Sequence, residues 1–325
     1  MSTTNPGTER TLAAAPEAVV ATAATEPDHV HRPPVNTAVV PSRHKGWARF
    51  WQVLRWVLLL GFAALFLYPF LWLLAASLKP RGDVFDNRLW PKQFQPRNYV
   101  EVWRELPLLD WLGNSIVIAM LSAVLVTLSS SAVAFGFAYF RFPGRKVLFG
   151  LLLATMMLPG AVTLVPNYLI WKWLGWLGTS VPLWGGAMFG SAFYIFLMRQ
   201  FYLGLPRDLF EAARVDGCSQ LGLFTRIAFP LALPSSLIVF IFEFQASWMA
   251  FQGPLIYLNF GKVEDFTVPL GIAHAMTMYS PTAGGHGDYQ YVMVASLVVT
   301  LPLLIVFAFL QRYFIEGIKT GGVKG

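Results

Sequence analysis

The chain has 325 residues, of which 56% are apolar and only 13% charged. A soluble globular domain carries roughly a quarter charged residues, so a mean hydropathy of +0.54 points to lipid as the main solvent. The formal net charge is +7, yet the basic residues lie in short segments between long apolar runs, as the positive-inside rule expects. No clustered basic and aromatic surface speaks for nucleic acid. The lone Cys218 excludes an internal disulfide and a cysteine-based metal cluster. The histidines, His29, His31, His44, His274 and His286, form no HExxH pattern, so neither a metal nor another cofactor is expected.

Residues 1–50 are rich in Ala, Thr, Pro and Val, with mixed charges and no sustained periodicity. They read as a disordered cytoplasmic tail, without the apolar core and cleavage site of a signal peptide. A spanning helix needs about 20 predominantly apolar residues, and residues 51–325 hold six such runs. They are 56–77, with Pro69 inside; 112–140; 147–171; 173–198, followed at once by Arg199; about 231–258, with Glu243 inside; and 289–311. Backbone polar groups in lipid must be satisfied internally, and strand-like alternation is absent. The predicted fold is therefore an all-α membrane protein with six transmembrane helices.

Orientation follows from Lys and Arg. The loop after the second run holds Arg141, Arg145 and Lys146; the loop after the fourth holds Arg199, Arg207, Arg214 and Arg226; the C-terminal end holds Arg312, Lys319 and Lys324. The loops between have Lys172 alone and Lys262 alone, and the basic residues of 79–111 are offset by acidic ones. This places both termini and the 199–230 loop in the cytoplasm of a multi-pass cell-membrane protein.

That loop contains Leu205-Pro206-Arg207-Asp208-Leu209-Phe210-Glu211-Ala212-Ala213-Arg214-Val215-Asp216-Gly217. Asp208 with Glu211 three residues on predicts a capping box, and Gly217 suits a left-handed helix stop. Ser219 can cap a second helix reaching about Arg226, before Pro230 and Pro234 mark re-entry. Two short helices lying across the membrane face are expected.

Here the chain resembles the permease subunits of binding-protein-dependent ABC importers. Their cytoplasmic signature is Glu-Ala-Ala, three residues, Gly, nine residues, Ile, one residue, Leu-Pro. This sequence has Glu211-Ala212-Ala213, Gly217, Ile227 and Phe229-Pro230 at that spacing, with Phe in place of Leu. Tyr68-Pro69, Ser77-Leu78-Lys79, Asn98-Tyr99, Asn114-Ser115 and Pro254-Leu255 resemble the carbohydrate branch, and the ending Gln311–Gly317 and Gly321–Gly325 resembles the second maltose-type subunit. One departure is Trp248-Met249-Ala250, where the family often has Trp-Asn-Asp or Trp-Asn-Glu.

The resemblance implies a type I ABC importer transmembrane domain with two short cytoplasmic coupling helices, the first helix wrapping a partner. It implies a second permease subunit, an ABC ATPase dimer, an extracytoplasmic sugar-binding protein, a carbohydrate substrate and surrounding lipid. It also implies ATPase coupling through Asp208, Glu211, Ala212, Ala213, Gly217, Ile227 and Pro230, with Lys324 in a tail that reaches the ATPases. The chain has no GxxxxGK[ST] phosphate loop and cannot itself supply ATP hydrolysis; it is not an enzyme in this reading. The alternatives are an ion-coupled secondary transporter, which would leave the signature unexplained, and an ABC permease for a non-sugar solute such as glycerol phosphate.

The substrate path is less legible. Glu243 is an intramembrane carboxylate, with Ser247 on nearly the same helix face. Gln245, Trp248 and Gln252 follow the i, i+3, i+7 pattern and share another face. Lining a path and hydrogen bonding between helices are both open for these residues. Pro159-Gly160 and Pro166-Asn167-Tyr168 interrupt the third run, as a simple kink or as a broken helix with Asn167 and Tyr168 beside the path.

Overall fold

The computed structural model describes residues 45–86, 88–258 and 262–321, and every regular element among them is helical. The chain falls into two units, Met1–Leu59 and Leu60–Gly325. Of the first, the described part is the start of helix α1, Lys45–Ser77, where the rings of Trp47, Phe50 and Trp51 pack within 6.1 Å of one another. Residues 45–50, read from the sequence as tail, are therefore helical, and the rest of the tail lies outside the described residues. Further along α1, Leu60, Phe62, Leu65 and Phe66 are all exposed, an apolar surface that suits lipid or a partner helix.

The second unit continues with α2, Asn98–Glu105; α3, Leu108–Tyr139; α4, Arg145–Thr155; and α5, Gly160–Trp173. Then come α6, Val181–Trp184; α7, Ala192–Leu203; α8, Arg207–Val215; and two short turns, α9, Gln220–Gly222, and α10, Phe229–Leu231. Last are α11, Leu233–Trp248; α12, Gln252–Tyr257; α13, Val268–Met278; and α14, Tyr289–Gly321.

Four segments are long and apolar enough to cross a bilayer: Arg49–Ser77, Leu108–Tyr139, Val181–Leu203 and Tyr289–Phe309. Two bent pairs bring the number to six, α4 with α5 at 99° and Gln220–Leu231 with α11 at 77°. The third expected span is thus broken, while the second bend falls at the start of the fifth, whose helix ends at Trp248. Pro159 cannot donate to the carbonyl four residues back, and Gly160 after it starts a new helix. Pro230 and Pro234 remove two such bonds around the second bend, which falls at Ala232. The fourth span starts at Val181 rather than 173, because Gly175 and Gly178 turn the chain at φ of 75° and 80°. It also runs past Arg199, whose guanidinium stacks on the Phe149 ring at 4.2 Å.

Helix α3 is the centre of the packing, with α7 and α11 against it. Its buried face is made of small residues, including Ser115, Ala119, Ser122, Ala123, Ser130 and Ala134. Small side chains let backbones approach closely, and hydroxyls hydrogen-bond across helices where lipid offers no competing partner. Ser131 Oγ and the Tyr202 hydroxyl lie 2.6 Å apart, Ser129 Oγ donates to the Ala187 carbonyl at 3.0 Å, and Ser130 Oγ accepts from the Ser191 amide at 3.1 Å.

At the end of α3 near Leu108, a second core joins α2, α13 and the start of α14 through Val102, Trp111, Phe266, Val268 and Val292. Sequence periodicity gave no sign of α13, which is too short to span and is shielded by this core. The stretches that resembled the carbohydrate branch do structural work here. Asn98 Nδ2 donates to the carbonyls of Ser77 and Lys79, and the Tyr99 hydroxyl meets Ser77 Oγ at 2.7 Å. Asn114 Nδ2 donates to the carbonyls of Glu264 and Phe266, and Ser115 Oγ accepts from the Val268 amide. The Lys79 ammonium, only 1% exposed, is paired with Asp86 and donates to the carbonyls of Asp86 and Arg88. That hydrogen bond from Lys79 holds the Asp86 carboxyl below its ordinary pKa.

Gly271 of α13 packs so closely on the Trp111 indole that a Cβ there would overlap the ring. Gly271→Ala is expected to destabilise the chain by about 1–3 kcal/mol, the range for forced overpacking. A lowered midpoint of thermal unfolding in detergent checks this; an unchanged midpoint would mean the indole can move aside.

Candidate functional site

The loop that carries the signature is built from local rules. Helix α8 begins at Arg207, with Pro206 in the cap position at φ −61° and ψ 128°. The expected Asp208–Glu211 capping box is therefore not formed. Helical geometry starts two residues earlier, so Asp208 sits inside the first turn, where its charge suits the helix dipole. Glu211 projects from the second turn and is exposed.

The end of α8 follows the sequence expectation. Gly217 has φ 80°, its amide donates to the Arg214 carbonyl at 3.1 Å, and the Cys218 amide donates to the Ala213 carbonyl at 2.9 Å. This is the paired Schellman arrangement. Ser219 then caps the next turn, its Oγ accepting from the Gly222 amide at 3.1 Å. The backbone widens into a π turn over Leu223–Ala228 before Pro230, the local loosening expected where a regular ladder is interrupted.

One side of α8 is anchored. Phe210 is buried, with its ring 5.2 Å from Tyr139 and 5.9 Å from Phe135. Ala213 and Ile227 are half-buried in the same core, which includes Leu223 and Ala228. The other side is bare. Leu209, Val215 and Leu221 are exposed apolar residues, Val215 to 87%. Asp208, Ala212, Gly217 and Pro230 are exposed beside them. A cavity of about 500 Å³ lies between α8 and the ends of α3 and α7, lined by Tyr139, Arg141, Arg207, Phe210, Glu211 and Arg214 among others. Sequence reasoning missed this cavity, since residues from three separate segments form it.

The residues proposed for a substrate path are not brought together as expected. Helix α11 ends at Trp248, and Gln252 opens α12 after a break at 249–251. Gln245, Trp248 and Gln252 therefore do not share one continuous face. Trp248 is only 3% exposed and packs with Ala119, Ala123 and Phe244, so it is a packing residue. Gln245 and Gln252 are exposed. Asn167 is exposed and Tyr168 half-buried on α5, and neither side chain makes a hydrogen bond among the described residues.

Glu243 has a structural position. Ser122 Oγ of α3 donates to its carboxylate at 2.6 Å. This intramembrane carboxyl thus links α3 and α11, as polar groups in lipid must find partners. No group of three potential metal ligands occurs among the described residues. Lys324 lies outside them.

The chain thus has four spans, or six if each bent pair is one, with the short helix α8 between the fourth and fifth. The sequence model of the family described as "Binding-protein-dependent transport system inner membrane component" matches residues 130–320. The chain is 32% identical over 292 residues to the arabinooligosaccharides transport system permease protein AraQ of Bacillus subtilis, covering 87% of this chain and 99% of that one. It is 33% identical to the osmoprotective compounds uptake permease protein GgtD of Synechocystis, covering 85% and 93% of the two chains. It is 30% identical to the melibiose/raffinose/stachyose import permease protein MelC of Bacillus subtilis, covering 79% and 91%. A crystal structure of a bacterial ABC transporter involved in the import of alginate contains a chain that superposes with a TM-score of 0.69, at 23% identity, covering 82% of this chain and 97% of that one. This chain belongs to the family of binding-protein-dependent transport system inner membrane components. It is a transporter permease of a multi-pass membrane type, not an enzyme.

Proposed function

We propose that this chain is one of two membrane-spanning subunits of an ATP-driven sugar importer, coupled to an ABC ATPase dimer through the 207–230 loop. The observation that carries the coupling role is the two-sided build of α8. Phe210 fixes it to the end of α3, while Leu209 and Val215 are exposed. An apolar side chain left bare outside the membrane-spanning segments suits a partner surface. Asp208 and Glu211 add charge beside it, and Ala212 lets a partner approach closely.

Carbohydrate as the substrate class is supported by the names of AraQ and MelC and by the carbohydrate-branch stretches described above. A binding protein outside the membrane would deliver it. The positive charge of the 141–146 and 199–226 loops supports their cytoplasmic placement, with both termini on that side. Gln245, Gln252, Asn167 and Tyr168 remain proposed path residues, and Lys324 a proposed tail contact.

The ATPase test is direct. Leu209→Asp combined with Val215→Asp places two charges where a partner would bury apolar surface. Purified in mild detergent, the variant complex is expected to lose most of its ATPase while keeping the second permease. Full ATPase recovery with the double variant would remove this face from the docking surface.

A further inference from the structure

We propose that the loop joining α3 and α4 holds the phosphate headgroup of an anionic phospholipid in the cytoplasmic leaflet. The proposal rests on the cytoplasmic placement of that loop given above. A cavity of about 370 Å³ is lined by Arg141, Phe142, Gly144, Arg145, Lys146 and Val147. Its lining therefore brings three cations together with no carboxylate. None of the three makes an ion pair among the described residues. Like charges gathered in one concavity repel one another, and the repulsion is stronger beside a low-dielectric membrane than in water. An anion seated among them relieves it.

A fourth cation, Arg199, lies near Arg145 without lining the cavity. The Arg199 guanidinium stacks on Phe149 and feels the charge of Arg145, and its Nε is buried with no hydrogen-bond acceptor. Topology alone does not ask for this convergence, since the positive-inside rule is met by Lys and Arg scattered anywhere near the span ends. The surroundings choose lipid over a free ion. Val147, Leu148 and Leu151 are exposed on α4 next to the basic cavity, so a polar, cationic mouth continues into an apolar wall. An anionic phospholipid has matching parts, with acyl chains along α4 and phosphate on the arginines. Arg141 also lines the cavity beneath α8 that contains Arg207 and Arg214, so a headgroup here would touch the region next to the docking helix.

The test uses the complete transporter complex, purified in mild detergent and examined by native mass spectrometry after exposure to phosphatidylglycerol, phosphatidylcholine or inorganic phosphate. Arg145 is left in place because its Nη1 donates to the Phe140 carbonyl at 3.0 Å. In R141Q/K146Q, loss of two charges near the membrane surface is expected to lower phosphatidylglycerol retention about tenfold or more. Phosphatidylcholine should be retained weakly and equally by both proteins. Equal phosphatidylglycerol retention by wild type and variant overturns the site. Displacement of the lipid by millimolar inorganic phosphate, with the ion bound in its place, overturns the lipid as its occupant. The readout needs no transport, so it is separate from the sugar assignment. In a Cys218→Ser background, Gly144→Cys labelled from outside intact cells would overturn the leaflet, independently of retention.

Discussion

Gly217→Pro is expected to reduce substrate-driven ATP hydrolysis and uptake to background while the chain still inserts normally. Gly217 holds φ at 80°, and its amide donates to the Arg214 carbonyl. Proline fixes φ near −65° and has no N–H, so the left-handed stop and one closing bond are lost together. A penalty of about 3 kcal/mol lowers the ratio of native to altered loops on the order of 100-fold. The chain would leave α8 in another direction, moving the Ser219 cap and the turn that leads to Pro230. Gly217→Ala keeps the N–H and carries only the cost of a left-handed non-glycine residue, about 1–2 kcal/mol, so it should retain partial activity. Fluorescence of a fusion at the C terminus measures insertion, and uptake measures coupling. Near-normal uptake by the proline variant with ATPase bound would mean the loop geometry does not transmit the stroke.

Glu243→Ala should produce the second large effect, on stability rather than on coupling alone. The carboxylate accepts from Ser122, so its removal strands that buried hydroxyl between α3 and α11. Leaving a buried polar group unsatisfied costs about 1–3 kcal/mol. Glu243→Gln retains a carbonyl oxygen that can accept from Ser122, and should lie between wild type and alanine. The check is the unfolding temperature of the purified complex across the three proteins. If alanine unfolds with the wild type but alters substrate range, Glu243 serves the path instead of the helix junction.

The spans were legible where a long apolar window could only be helix, and less so where proline intervened. Pro69 and Pro302 sit inside continuous helices. Pro159 and Pro234 mark bends of 99° and 77°. A single proline removes one bond and is tolerated, whereas Pro159 is followed by flexible Gly160, and Pro230 and Pro234 remove bonds in successive turns. The composition of each window is nearly the same in both cases, so hydropathy alone cannot separate a kinked span from a broken one. The docking loop was legible at Gly217 and Ser219, because left-handed stops and serine caps are local. Its start was misread because Pro206 took the position that Asp208 would have needed as a cap. The face through Gln245, Trp248 and Gln252 assumed a helix that in fact ends at Trp248. The polar clamps around Asn98 and Asn114 join segments far apart in sequence, which no local pattern reveals.

The most direct measurement of the account is uptake of labelled oligosaccharide into proteoliposomes containing the chain with its second permease, ATPase and binding protein. Uptake is expected only with ATP inside the compartment that holds the ATPase, unchanged when ionophores collapse all ion gradients, and absent for the chain reconstituted alone. Sugar flux through the isolated chain without ATP, abolished by an ionophore, would contradict it.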